Sequence, residues 1–228
     1  LEAVATSHSA INQVREDFEG NIWVATHGGG LNRLRPRIFD FLNARSGLAD
    51  DISYSVAEDA LGRLWIGNCD GGLARLNQGR LEILTQRPDW PPLRVFSVET
   101  DAQNDTWIGT RTGLYFWKTD SETPPQRVAE DLIKDVHVVF RARNGDIWVG
   151  ANPDVLVRFR NGRPESATHF TRENGFSADN VRAISESTAG GIWIGTEAGE
   201  LLKFQDGKFR RFDAADGWSG GSIRTIFV

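Results

Sequence analysis

The sequence predicts an all-β fold, and three observations carry that prediction. Five blocks of the form apolar–Trp–β-branched–small recur around Trp23, Trp65, Trp107, Trp148 and Trp193, spaced 42, 42, 41 and 45 residues apart. A period of about 40–45 residues suits a four-stranded sheet used as one unit of a radial array. Short β-branched and aromatic runs flank each block, separated by turns rich in Asp, Asn and Gly, which is the chemistry of tight hairpins. No stretch shows an apolar period of helical spacing long enough to form a sizeable helix. The expected architecture is a β-propeller of four-stranded antiparallel blades, with five complete repeats in sight.

Each blade is read outward from its Trp. A first strand, a, carries an apolar residue nine positions before the Trp (Val14, Val56, Val98, Val139, Ile184) and, twelve before it, Ile11, Ser53, Val95, Val136 or Val181. A turn follows, as at Asp17–Asn21, Asp59–Arg63 and Asp101–Asp105. Strand b is the Trp block, apolar on both faces as in a sheet stacked between two others. Its fourth residue is always Ala or Gly, which implies close approach of a neighbouring backbone or indole ring.

Strand c is expected at Leu31–Leu34, Leu73–Leu76, Leu114–Trp117, Val155–Phe159 and Leu201–Phe204. Strand d is expected at Arg37–Leu42, Arg80–Thr85, Gln126–Val128, Ala167–Phe170 and Lys208–Phe212. The blades then cover about residues 10–43, 52–86, 93–129, 135–171 and 181–214. Residues 1–6 fit the last strand of a preceding blade, and 222–228 the first strand of a following one. A segment of a larger propeller is the expectation, with a self-closing five-bladed ring as the alternative. The chain contains no Met at all, which reads as a processed or excised piece.

The 228 residues are 39% hydrophobic with a net charge of −5, enough for a core and unsuited to nucleic acid or an anionic membrane, which need clustered Lys and Arg. No apolar run is long enough to span a membrane. Cys69 is the single cysteine and has no internal partner, which leaves the redox compartment open.

No catalytic constellation stands out. His8, His27, His137 and His169 follow no metal-ligand spacing, so neither metal nor cofactor is expected. Gly28-Gly29-Gly30 lacks the Lys and the helix of a phosphate loop.

The b–c and d–a loops of a propeller surround one mouth of the central channel, the default ligand site by geometry. In the b–c loops the candidates are His27, Asp70, Arg111, Asn152, Asp154 and Glu197. One position after the start of strand a stand Asn12, Tyr54, Phe96, His137, Arg182 and, in the partial copy, Arg224. A ring of amide, aromatic, imidazole and guanidinium groups suits a polar, hydroxyl-rich or anionic ligand. Trp90, in an irregular loop with no repeat counterpart, either stacks on a sugar or partner or is wedged against the fold by its prolines. Arg33, Arg75, Arg158 and Lys203 recur at one strand c position, and such recurrence favours a structural role.

Several segments resemble a known family. Ser46-Gly47-Leu48-Ala49-Asp50-Asp51-Ile52 leading into Gly62-Arg63-Leu64-Trp65-Ile66-Gly67-Asn68 and Gly71-Gly72-Leu73 is similar to the two-component regulator propeller repeat. So are Gly20-Asn21-Ile22-Trp23-Val24-Ala25-Thr26, Asn174-Gly175-Phe176-Ser177-Ala178-Asp179-Asn180-Val181 and Asp216-Gly217-Trp218. Thr112-Gly113-Leu114 and Asn152-Pro153-Asp154 depart from the pattern.

The resemblance implies a bacterial sensor region, periplasmic or otherwise extracytoplasmic. In this family such propellers are usually seven-bladed. They are joined through a membrane segment to a histidine kinase, a DNA-binding regulator or a diguanylate cyclase, and they often detect carbohydrate fragments. It leaves room for a homodimer of the parent receptor. Two other functions compete. One is an enzyme resembling streptogramin lyase, which would need His27 or His137 to meet Asp70 or Glu197. The other is a protein-interaction scaffold.

Overall fold

The computed structural model describes residues 11–16, 18, 22–26, 30–34, 42–70, 72–87, 90–91 and 93–228. The chain divides into two compact units, Leu1–Leu42 and Asn43–Val228. In the first, β1 (Ile11–Glu16), β2 (Ile22–Thr26) and β3 (Gly30–Leu34) form an antiparallel sheet in that order. Trp23 stands opposite Arg33 in the ladder. The strand expected at Arg37–Leu42 and the segment 1–6 lie outside the described residues, Leu42 apart.

The second unit holds four sheets, each of four strands paired in chain order. They comprise β4 (Ser53–Glu58), β5 (Leu64–Asn68), β6 (Gly72–Asn77) and β7 (Arg80–Ile83); then β8 (Val95–Thr100), β9 (Thr106–Thr110), β10 (Gly113–Trp117) and β11 (Gln126–Val128). The third is β12 (Lys134–Arg141), β13 (Ile147–Asn152), β14 (Val155–Phe159) and β15 (Ala167–Phe170). The fourth is β16 (Val181–Glu186), β17 (Ile192–Thr196), β18 (Leu201–Gln205) and β19 (Lys208–Phe212). Each first strand lies beside the first strand of the next sheet, so the four sheets fan out as propeller blades.

Apolar side chains fill the space between successive blades. Trp107 packs with Ile147 and Phe159 between the second and third of these sheets, and Trp148 packs with Phe176 and Ile194 between the third and fourth. The small residue of the Trp block is explained by a side chain, rather than by the backbone or indole the sequence suggested. A Cβ added at Gly67, Gly109, Gly150 or Gly195 would fall 2.4–2.7 Å from Val95, Val136, Val181 or Ile223, the first apolar residue of the following repeat. Repeat after repeat, a β-branched side chain seats where glycine leaves room.

In the first two of these sheets the a–b turn ties the indole down. Asp59 accepts from Trp65 Nε1 at 3.0 Å and from the amides of Leu61 and Arg63. Burial alone would raise its pKa, but the indole, Arg63 and amide bonds outweigh burial and hold it below the usual carboxylate range. Asp101 makes the same bond to Trp107 at 3.2 Å. Strand c supplies the other side: Arg75, Arg158 and Lys203 stand opposite Trp65, Trp148 and Trp193 in the ladder and lie 5.4, 5.6 and 5.5 Å from those rings, as cation–π pairs.

Three of the segments leading from one repeat to the next form capped turns. Asn43, Thr171 and Asp213 each open a single 3₁₀ turn closed by Gly47, Gly175 and Gly217 in the left-handed region, where glycine carries no Cβ penalty. The next residue, Leu48, Phe176 or Trp218, returns an amide hydrogen bond to the capping residue. Leu48 and Phe176 are buried, and Trp218 is half-buried with its Nε1 donating to Gly199 O at 2.8 Å.

Two expectations need correction. Residues 222–228 form no strand: Ile223 is buried against Gly195 and its amide donates to Thr196 O, but no ladder follows. Trp90, offered as a ligand-stacking residue, is 7% exposed. Its ring meets Trp117 edge-on at 4.8 Å inside the core between the first two of these blades, so its face is not available to a ligand.

Candidate functional site

Every first strand of the four-bladed unit contains a β-bulge near its start. Ser53 and Ser55 pair with Asn68 and Gly67, skipping Tyr54; Val95 and Ser97 pair with Thr110 and Gly109, skipping Phe96. Val136 and Val138 skip His137, and Val181 and Ala183 skip Arg182. In the separate three-stranded unit, Ile11 and Gln13 skip Asn12, whose side chain is exposed. A bulged residue leaves the ladder and re-aims its side chain. Val95, Val136 and Val181 stay seated in the glycine notches while the residue after each projects.

Four projecting residues of successive blades meet. Together with Arg224, Tyr54, Phe96, His137 and Arg182 line a cavity of about 330 Å³. Tyr54 stands edge-on to Phe96 at 5.2 Å, and Phe96 stacks on the His137 ring at 5.5 Å and 20°. Arg182 Nη1 donates to His137 Nδ1 at 2.6 Å. A guanidinium is only a donor, so Nδ1 accepts, which leaves Nε2 as the ring's other polar atom. That nitrogen faces Asp135 Oδ2 at 3.3 Å. Burial first, and the Arg182 charge second, push the His137 pKa below 6.5.

The b–c loops anchor this ring. Glu197 accepts from both Nε and Nη2 of Arg182, which holds its pKa below the usual range, and it lies 3.9 Å from Arg224. Asn152 donates to Asp135 at 2.8 Å, and its amide nitrogen lies 2.9 Å from His137 Nε2. The Tyr54 hydroxyl donates to Cys69 Sγ at 3.7 Å, which raises the Tyr54 pKa. Cys69 contacts Asp70, and Asp70 accepts from Arg94 at 2.6 Å.

Other expected residues fall elsewhere. Asp154 lies at a second hollow of about 280 Å³ beside Pro153, Phe176 and Asp179; a hydrogen bond with Asp179 raises its pKa. Arg111 is exposed at the β9–β10 turn, and His27 lies outside the described residues. Asp50, Cys69 and Asp70 offer atoms within 4.8 Å of one another. Their acceptors already serve Arg94 and the amides of Ile52 and Asp70, as expected of a loop clasp. Sequence reasoning missed Asp135 and Cys69 as supports of the ring. Asp135, with φ of 48°, sits at a further register shift unique to β12 among these first strands, and no repeat position announces it.

Fanned four-stranded blades, with one side chain from each first strand lining a shared hollow, define a β-propeller. Residues 175–198 match the family described as the two component regulator propeller, so this stretch is a repeat of that kind. No curated protein matches the sequence. Among solved structures, the extracellular domain of the hybrid two component system BT3049 from B. thetaiotaomicron aligns with a TM-score of 0.70 at 25% identity, over 97% of this chain and 31% of that one. The extracellular domain of the one component system BT4673 from the same organism aligns at 0.63 and 16% identity, over 89% and 31%. Virginiamycin B lyase from Staphylococcus aureus aligns at 0.57 and 12% identity, over 90% and 70%. The last two share the fold alone. The chain spans about a third, 31%, of the length of the two sensor domains.

Proposed function

We propose that this chain is a non-enzymatic, ligand-sensing propeller segment of an extracytoplasmic bacterial receptor, and that its ligand is a small polar molecule or carbohydrate held at the bulge-lined cavity. The observation that carries this reading is the convergence of four bulged residues, one per blade, on a single hollow. Bulges recur where a fold re-aims side chains for function. The resemblance to the extracellular domains of two component systems supports the location and the signalling role. Among the described residues no helix is long and apolar enough to cross a membrane.

The lyase-like fold favours an enzyme as the second reading. Against it, both ring nitrogens of His137 already have protein partners, Nδ1 in Arg182 and Nε2 in Asp135 and Asn152, whereas a general base needs a nitrogen open to the substrate proton. Asp70 is tied to Arg94 and Glu197 to Arg182. Calorimetric titration of the protein with an oligosaccharide panel tests the sensing reading. Saturable binding weakened by Phe96→Ala supports it. Turnover of a bound compound, or binding of a protein partner with no small ligand, overturns it.

A further inference from the structure

The charged side chains lining the cavity are two guanidiniums, Arg182 and Arg224, and the way each is held indicates what the ligand carries. Arg182 is neutralised in place: two of its nitrogens engage Glu197 and a third engages His137. His137 is held in its neutral form, because a protonated ring offers Arg182 no acceptor. Glu197 is thereby spent on Arg182. Arg224 remains: its side chain is 76% exposed, and its ion-pair partner among the described residues is that same Glu197, at a distance of 3.9 Å. The cavity therefore presents one exposed and loosely paired guanidinium, whose planar fork suits a carboxylate better than any neutral group.

The same hollow is lined by two aromatic side chains, Tyr54 and Phe96. Phe96 has one face covered by the stacked His137 ring. Tyr54 is 51% exposed, set edge-on to Phe96 and pinned through its hydroxyl to Cys69, so its ring is held in orientation before any ligand arrives. Such a ring receives the flat C–H or aromatic face of a ligand with little ordering cost.

Resting on the proposed ligand site, we infer that the cavity selects a singly charged cyclic acid: a ring with one carboxylate, the carboxylate on Arg224 and the ring face on Tyr54. An acidic sugar and an aromatic acid share this chemistry. Matched titrations separate them, with D-glucuronate against D-glucose and benzoate against benzyl alcohol, each at millimolar concentration. Binding is read from the ring signals of His137 and Tyr54 in the intact chain.

The expected result is that one of the two acids binds, that its neutral counterpart binds at least about tenfold more weakly, and that Arg224→Ala costs the acid a similar factor. Arg224→Lys is expected to recover part of the loss, since charge returns without the fork. Arg224→Ala should leave the melting temperature unchanged, so a folding defect is excluded by measurement. Equal binding of acid and neutral partner, or indifference to Arg224→Ala, overturns the inference while leaving the ligand site in place. Silence from both acids with binding by a neutral oligosaccharide has the same meaning. Silence from every compound overturns both.

Discussion

At the scale of single residues, the glycine two positions after Trp65, Trp107, Trp148 and Trp193 is tightly constrained. A methyl at Gly109 would lie 2.6 Å from Val136 Cγ1 and 3.2 Å from Val139 Cγ2. Gly109→Ala is expected to destabilise by about 1–3 kcal/mol, and adding Val136→Ala should recover part of that in urea unfolding. Two titrating residues act in opposite senses. His137 has its pKa lowered from 6.5 by burial and Arg182, so its contribution is complete above that value and is lost as pH falls toward the folded pKa. His137→Gln should therefore narrow the drop in melting temperature between about pH 7.5 and 5.5. Glu99 is raised from 4.5 by burial; what it contributes is present below that value and lost as pH rises through its folded pKa. Glu99→Gln should raise the melting temperature at neutral pH and change it little near pH 4. Composition announced that carboxylates are plentiful; only the packing around Glu99 singles it out.

At the scale of the strand, the bulge separates two jobs that neighbouring residues perform. Val136 is fully buried in a glycine notch, whereas His137 beside it leaves the ladder. Val136→Ala is expected to cost about 2 kcal/mol in chemical denaturation, and Tyr54→Ala, at an equivalent bulge, about 1 kcal/mol or less. The ligand response should show the reverse order. Much of this was legible from the chain. The Trp spacing located the strands, and counting back from each Trp selected Tyr54, Phe96, His137 and Arg182, because a repeat carries its geometry from blade to blade. Trp90 was not legible, since an unrepeated loop has no sister positions to read it against. Its burial depends on the nearby Trp117 edge, a tertiary contact without a sequence period. The strand expected at 222–228 failed for another reason: Ile223 keeps the seat on Gly195, but apolar spacing alone does not supply a partner strand for pairing.

At the scale of the molecule, the blades form a series in which each couples to its neighbours, and stability in such arrays is uneven along the chain. β9 is buried along its whole length and β13 in all but its last residue, whereas residues 12–15 of β1 are exposed. Native-state hydrogen exchange should find the slowest amides in β9 and β13 and much faster ones in β1. The projecting position also separates the proposed recognition from folding. Asn12, Tyr54, Phe96, His137 and Arg182 occupy one topological place in five sheets, and no two share a chemistry beyond the aromatic pair. Under the proposed function, a descendant of this gene can exchange what it detects one sheet at a time, while the hairpins, notches and clasped indoles beneath go on specifying the same scaffold.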